Sequence, residues 1–219
     1  MAVITELIIA RHGEAHCNLA GLVGGEKTCT GLTDQGHRQV TSLADRVREE
    51  HETGTPISAL YAAPRRRVQE SAAILSGALS LPVSTEPGLS GPRHGEADGR
   101  RWEDIKTAFG GPPQSDPDRP YAPGSETWNE HLARVTSCLA GLTQRHAGQK
   151  ILIAGHAETA EAAFTLLLAL PPGTCTRAGF AAGHASLTRW HMRRNRYGQA
   201  VWILTAFNDT RHLPVPSDA

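Results

Sequence analysis

Three clusters carry the residue types best suited to chemistry: Arg11-His12-Gly13-Glu14, Arg65-Arg66-Arg67 and Gly155-His156. Arginine presents a planar fork of donors that matches phosphate oxygens, and a histidine neutral at one ring nitrogen can attack phosphorus. Two arginines and two histidines around one point would hold a dianion. They would also stabilise the charge that spreads over its equatorial oxygens during phosphoryl transfer. Gly13 would let backbone approach the ligand closely. A lone histidine is usually a packed or surface imidazole, but two of them ending apolar stretches beside Arg and Gly weaken that reading. His12 and His16, four apart, suggest a metal pair only on a helix. Gly13 and Asn18 argue against a helix there, no HExxH pattern occurs, and no metal or other cofactor is expected.

These clusters need elements that bring them together. Val3–Ala10, Ala59–Ala62 and Lys150–Ala154 are short, apolar stretches that read as buried strands, and each is followed by one cluster. In a largely parallel sheet all three strand ends fall on one edge, where ligands bind in open α/β folds. Pro82–Thr85 reads as a further strand, and Ser186–Met192 and Gln199–Phe207 as two strands joined by the turn Arg193–Gly198. Helices are expected from Thr33, its N-cap, with the stripe Val40, Leu43 and Val47, and from after Pro64 to about Leu79. Others run from about Ser125 to His146, and from His156 to Leu170, ended by Pro171-Pro172-Gly173. The alternation predicts an α/β fold, a three-layer α/β/α sandwich with a mostly parallel central sheet, as one domain over 1–219. Residues 86–124 stand apart: they hold seven of the 14 prolines and one short helix near Arg101–Phe109, and, without a core of their own, read as an inserted binding loop or lid or, equally, as a plain surface excursion.

Composition sets outer limits. The chain has 219 residues, 39% hydrophobic and 20% charged, enough for one good core. Its formal net charge of zero gives no reason to expect nucleic acid or an anionic membrane as partner. Lys27, Lys106 and Lys150 are the only lysines, and this bias to arginine suits phosphate recognition or a GC-rich genome equally. Cys17, Cys29, Cys138 and Cys175 lack metal or disulfide-framework spacing; a Cys17–Cys29 bridge is conceivable, but free thiols in a reducing compartment fit better. The N-terminus lacks signal-peptide features and Ala162–Leu170 is too short to span a bilayer, so a cytoplasmic location is expected. The oligomeric state stays open, with a homodimer among the options.

The motifs in order resemble the histidine phosphatase superfamily, phosphoglycerate mutase-like branch. Ile8-Ile9-Ala10-Arg11-His12-Gly13-Glu14 with Asn18 is similar to its signature, and Gly31–Gly36 to "PLTxxG". Tyr61–Ala72 is similar to "SSPLxRAxqTA", Gly124-Ser125-Glu126-Thr127 to "GES", Ile153–His156 to the second-histidine motif, and Phe207-Asn208-Asp209 with His212 to "fNDxxHL". The resemblance implies that His12 forms a phosphohistidine, that Arg11, Arg67 and His156 clamp the phosphoryl oxygens, and that Asn18 adds a donor. Gly13, Gly25, Glu96 and Ala157 join Asn18 as candidate substrate contacts, and Glu14 is expected to orient the loop. The implied activity is phosphatase action on a small phosphorylated metabolite. Alternatives are a phosphoglycerate mutase-type transferase and a non-catalytic phospho-ligand binder.

One position departs from that pattern. The glutamate of "LxExxxGxwEG", the family's general acid, falls on Gly91 in the stretch Leu89–Gly99. A general acid contributes about 10²–10⁴-fold. Glu158, two residues past His156, could supply the proton, as the related histidine acid phosphatases place their acid just after the second histidine. Glu96, Asp98 or His94 of the loop could also do so, or no dedicated donor exists; for Glu158 the plain reading is a helix first-turn carboxylate. A second departure, Gly24-Gly25 after Asn18, points to leaving-group recognition unlike that of a mutase. Arg93, Arg100, Arg101, Trp102 and Tyr121 are expected to frame the leaving group.

Overall fold

Unbroken apolar runs make strands here because helices cover them on both faces. The computed structural model describes residues 3–171 and 179–214; Pro172, Gly173 and Cys175 lie outside them. The elements run β1 (Val3–Arg11), α1 (His16–Leu19), α2 (Asp34–Thr53), β2 (Ile57–Ala62), α3 (Arg66–Leu79), β3 (Val83–Thr85), α4 (Trp102–Phe109), α5 (Trp128–Arg145), β4 (Lys150–Gly155), α6 (Ala157–Leu167), β5 (Leu187–Arg194) and β6 (Ala200–Asp209). The sheet order is β3-β2-β4-β1-β5-β6. The first four strands in that order are mutually parallel, and β5 and β6 add an antiparallel edge. Leu7, Ile8 and Ile9 of β1 and Ile151, Leu152 and Ile153 of β4 are each at most 1% exposed, as central parallel strands require. The fold is α/β with a mostly parallel sheet.

Helix boundaries follow local chemistry. The Thr33 side chain accepts from Gly36 N at 3.0 Å, and Val40, Leu43 and Val47 are fully buried. α5 begins at Trp128 rather than Ser125, because Thr127 and Glu130 form a capping box. α6 stops at Leu167, short of the expected Leu170. The four-residue α1 is a helix where none was expected, although it is too short to show apolar periodicity. Gly198, at φ +81°, closes the β5–β6 hairpin with its N–H donating to Asn195 O at 3.0 Å.

Segment 86–124 contains three 3₁₀ turns besides α4. Contrary to a stretch without its own core, Ala97, Ile105, Phe109 and Tyr121 pack with Val23 into a small second cluster. That cluster fixes the segment against the loop after α1.

Candidate active site

β1, β2 and β4 end side by side, so His12, the start of α3 and His156 meet at one sheet edge. His12 N donates to Gly155 O at 3.0 Å, tying the two histidine-bearing strand ends together. The rings of His12 and His156 lie edge to face, 5.3 Å apart. Gly155 is required here, because a Cβ would fall 2.6 Å from the Thr159 hydroxyl that accepts from His156 N.

The tautomer of His12 follows from its partners. Its Nδ1 lies 2.7 Å from Gly13 O, and a carbonyl only accepts, so Nδ1 carries the proton. Nε2 accepts from Arg67 Nε at 3.0 Å and therefore holds a lone pair. Burial, then the nearby Arg67 and Arg11, push the His12 pKa well below the ordinary imidazole value. His156 is lowered likewise by burial, Arg67 and Arg65. Its Nδ1 faces Arg67 Nη2 at 3.5 Å, which leaves Nε2–H as its donor; that atom is buried with no acceptor among the described residues. The pair is thus two neutral imidazoles, one with its Nε2 as acceptor and one with its Nε2 as donor.

The cations are costly to place. Arg65, Arg66 and Arg67 sit at the N-terminus of α3, where the helix dipole disfavours positive charge, and Arg65 and Arg67 are 4% and 6% exposed. Arg67 is held by Gly24 O at 2.7 Å and by Cys29 Sγ at 3.3 Å. Arg11 donates to Ala182 O at 2.5 Å and meets His184 Nε2 at 2.9 Å, while its Nε has no acceptor among the described residues. Arg66 is exposed and pairs with Glu70 at 2.8 Å. Such a cluster of buried like charges is stabilised by an anion.

Two cavities open from this edge. The first, of about 70 Å³, is lined by Arg11, His12, Arg65, Arg67, His156 and Glu158, among others. The second, of about 390 Å³, shares Arg11, Asn18 and Glu158 with it and adds Trp102, Tyr121 and Trp128. Glu158, in the first turn of α6, stands at the junction of the two, and its carboxylate has no hydrogen bond or ion pair among the described residues.

Arg11, His12, Arg67, His156, Glu158, Asn18 and Ala157 thus come together around the smaller cavity. Asn18 Oδ1 accepts from Ala15 N at 3.1 Å, which leaves its amide donors for the cavity. The other candidates lie elsewhere. Gly13 does not line either cavity: its N–H donates to Ser71 Oγ at 3.3 Å, and a Cβ there would sit 2.4 Å from Gly36 O, so it packs β1 against α2. Gly25 N donates to Asp98 at 2.9 Å, holding the loop rather than facing the cavity. Asp98 also accepts from Lys27 N and the Thr28 hydroxyl, and these bonds lower its pKa against the opposing effect of burial. Glu96 is exposed and lines not the smaller cavity but a neighbouring depression that shares Arg65 and His94 with it. Glu14 accepts from the Thr33 hydroxyl at 2.8 Å, an orienting role.

Trp102 and Tyr121 do frame the larger cavity, but Arg93, Arg100 and Arg101 do not; Lys106 on α4 takes that place. His94 lines the smaller cavity, bonded to the Tyr121 hydroxyl at 2.6 Å, with its pKa lowered to about 3 by burial and by Arg65 and Arg67. Sequence reasoning missed Arg65, His184, Trp128 and Lys106; for Arg65 the signal was present in the three-arginine run. Cys17, Cys29 and Cys138 are free thiols. Among the described residues no group of three His, Cys, Asp or Glu could hold a metal ion, and no helix is long and apolar enough to cross a membrane.

Comparison with known proteins places this geometry. The model of the histidine phosphatase superfamily (branch 1) matches residues 7–208. A metal-independent phosphoserine phosphatase of Arabidopsis thaliana is 24% identical over 96% of this chain and 84% of its own length. A probable phosphoglycerate mutase of Yersinia enterocolitica is 25% identical over 97% of this chain and 96% of its own. Among solved structures, a mycobacterial glucosyl-3-phosphoglycerate phosphatase in complex with VO3 superposes with a TM-score of 0.78 at 20% identity, covering 94% of this chain and 99% of that one. A phosphoserine phosphatase of Entamoeba histolytica gives 0.77 at 21%, covering 96% and 100%. At such identities the structures show a shared fold.

Proposed function

The chain belongs to the histidine phosphatase superfamily (branch 1), and from that premise we propose that it hydrolyses a small phosphomonoester through a phosphohistidine on His12. The observation that carries the reading is the fixed tautomer of His12: a neutral, buried imidazole with its Nε2 lone pair turned to Arg67 beside the arginine-lined cavity. The phosphoryl group enters the smaller cavity and the alcohol part of the ester the larger one. Nε2 attacks phosphorus as the ester P–O bond breaks, and Arg11, Arg67 and His156 Nε2–H hold the non-bridging oxygens. Glu158, at the junction, gives its proton to the departing oxygen. It then takes one from the water that attacks the phosphohistidine, so that the N–P bond breaks and phosphate leaves. The pinned Asp98 and the outlying Glu96 favour Glu158 over the loop carboxylates as donor. Free thiols at Cys17, Cys29 and Cys138 suit a reducing compartment such as the cytoplasm.

Glu158→Gln tests the proton route. It should slow alkyl phosphates by about 10²–10⁴-fold and aryl phosphates, whose leaving groups need no proton, far less. Equal losses on both would remove Glu158 from the donor role. Efficient interconversion of 3- and 2-phosphoglycerate with little free phosphate would replace the phosphatase reading by the mutase one.

A further inference from the structure

We infer that Arg65 is a third phosphoryl-binding guanidinium, seated against the bare backbone of Gly91 and contacting a non-bridging oxygen of the substrate. The inference rests on the phosphatase reading and adds a residue to its substrate contacts.

Arg65 is 4% exposed, yet its donors are poorly used. Nη2 donates to Pro92 O, Nε is buried with no acceptor among the described residues, and Nη1 likewise has no acceptor among them. A buried guanidinium is normally fully hydrogen-bonded, so spare donors at a cavity wall indicate a ligand. A Cβ added at Gly91 would lie 2.7 Å from Nη1, and 3.2 Å from both Cζ and His156 Cδ2. Glycine at 91 is therefore what lets the guanidinium lie beside His156. Arg65 lines the 70 Å³ cavity with Arg11, His12, Arg67 and His156, backs onto the depression that holds Glu96, and does not line the 390 Å³ cavity. That division assigns it to the phosphoryl group and not to the alcohol part. Its cost is only partly offset within the protein: burial and Arg67 lower its pKa to about 10 against the opposing pull of Glu158, and it caps the positive end of α3.

The competing role is a strut that anchors the 90–93 loop through Pro92 O. Binding of orthovanadate, read without turnover, separates the two. Arg65→Leu should weaken orthovanadate by about 10–100-fold, the scale of a charge-assisted hydrogen bond, with Arg65→Lys in between. Aryl and alkyl phosphates should lose kcat/KM equally, unlike the split expected for Glu158→Gln. Gly91→Ala provides a second variant in case Arg65→Leu does not fold. Its methyl meets Arg65 Nη1 first, at 2.7 Å, and His156 Cδ2 at 3.2 Å, so it should fold with the guanidinium end giving way, displace Nη1 and weaken orthovanadate in the same direction. Folded variants that bind orthovanadate as the wild type does, or that lose only one leaving-group class, would overturn the role of Arg65 alone. A wild-type protein that neither binds orthovanadate nor releases phosphate would overturn the phosphatase reading beneath it.

Discussion

His12 is a base whose proton affinity has been set by its surroundings. Burial and two guanidiniums lower its pKa well below 6.5, so the attacking nitrogen stays unprotonated as acid is added. For a group whose neutral form is required, a lowered pKa moves the acid limb of activity down in pH. The kcat/KM profile on an aryl phosphate should therefore show no His12 limb near 6.5, and should hold its plateau well into the acid range. An acid limb of kcat/KM at the ordinary imidazole value, near 6.5, would contradict this. The residue scale also shows what adjacency in sequence conceals. Arg65, Arg66 and Arg67 are chemically identical neighbours, but the helical phase of α3 exposes Arg66 to Glu70 and turns Arg67 onto His12. Arg65 instead ends between the bare backbone of Gly91 and the carbonyl of Pro92, which adjacency in sequence does not show.

At the scale of elements, strand ends deliver the chemistry and helix packing fixes their aim. Gly13 makes the link: its carbonyl holds His12 Nδ1, and its Cα lies against the backbone of α2. Gly13→Ala would put a Cβ 2.4 Å from Gly36 O and 2.8 Å from the Val40 side chain. It should cost about 1–3 kcal/mol in a denaturant melt, as overpacking does, and reduce kcat more than KM by turning the imidazole. An unchanged midpoint and rate would contradict that role. The strands and the longer helices were legible because two-sided burial and a 3.6-residue stripe leave plain patterns, as in Leu7–Ile9 and Val40–Leu43–Val47. Capping moved the start of α5 to Trp128, since Thr127 with Glu130 is a stronger start signal than Ser125. That Arg11, His12, Arg67 and His156 would meet at one sheet edge was legible because three strand ends marked them. The residues of the larger cavity were not: Trp128 and Lys106 come from α5 and α4, and their convergence depends on how segment 86–124 folds back.

The whole molecule carries a penalty for this arrangement. Besides His12 and His156, His94 is lowered to about 3, and His131 and His184 to about 4, each first by burial. Unfolded, these side chains titrate near 6.5, so below that pH the unfolded chain binds protons that the native state refuses. Stability is then full above about 6.5 and falls as pH drops towards 4. Thermal melts at pH 7.5, 6, 5 and 4 should show this decline, and His131→Gln should flatten it; a midpoint constant from 7.5 to 4 would contradict the burial of neutral imidazoles. The same desolvated, cationic cavity is what the chain maintains for an incoming phosphoryl group. Rapid mixing of excess aryl phosphate with the protein, followed by a basic quench and peptide mass spectrometry, tests that directly. One phosphoryl group should appear on the peptide containing His12, and none in His12→Ala; steady release of phosphate with His12 unlabelled would contradict the account.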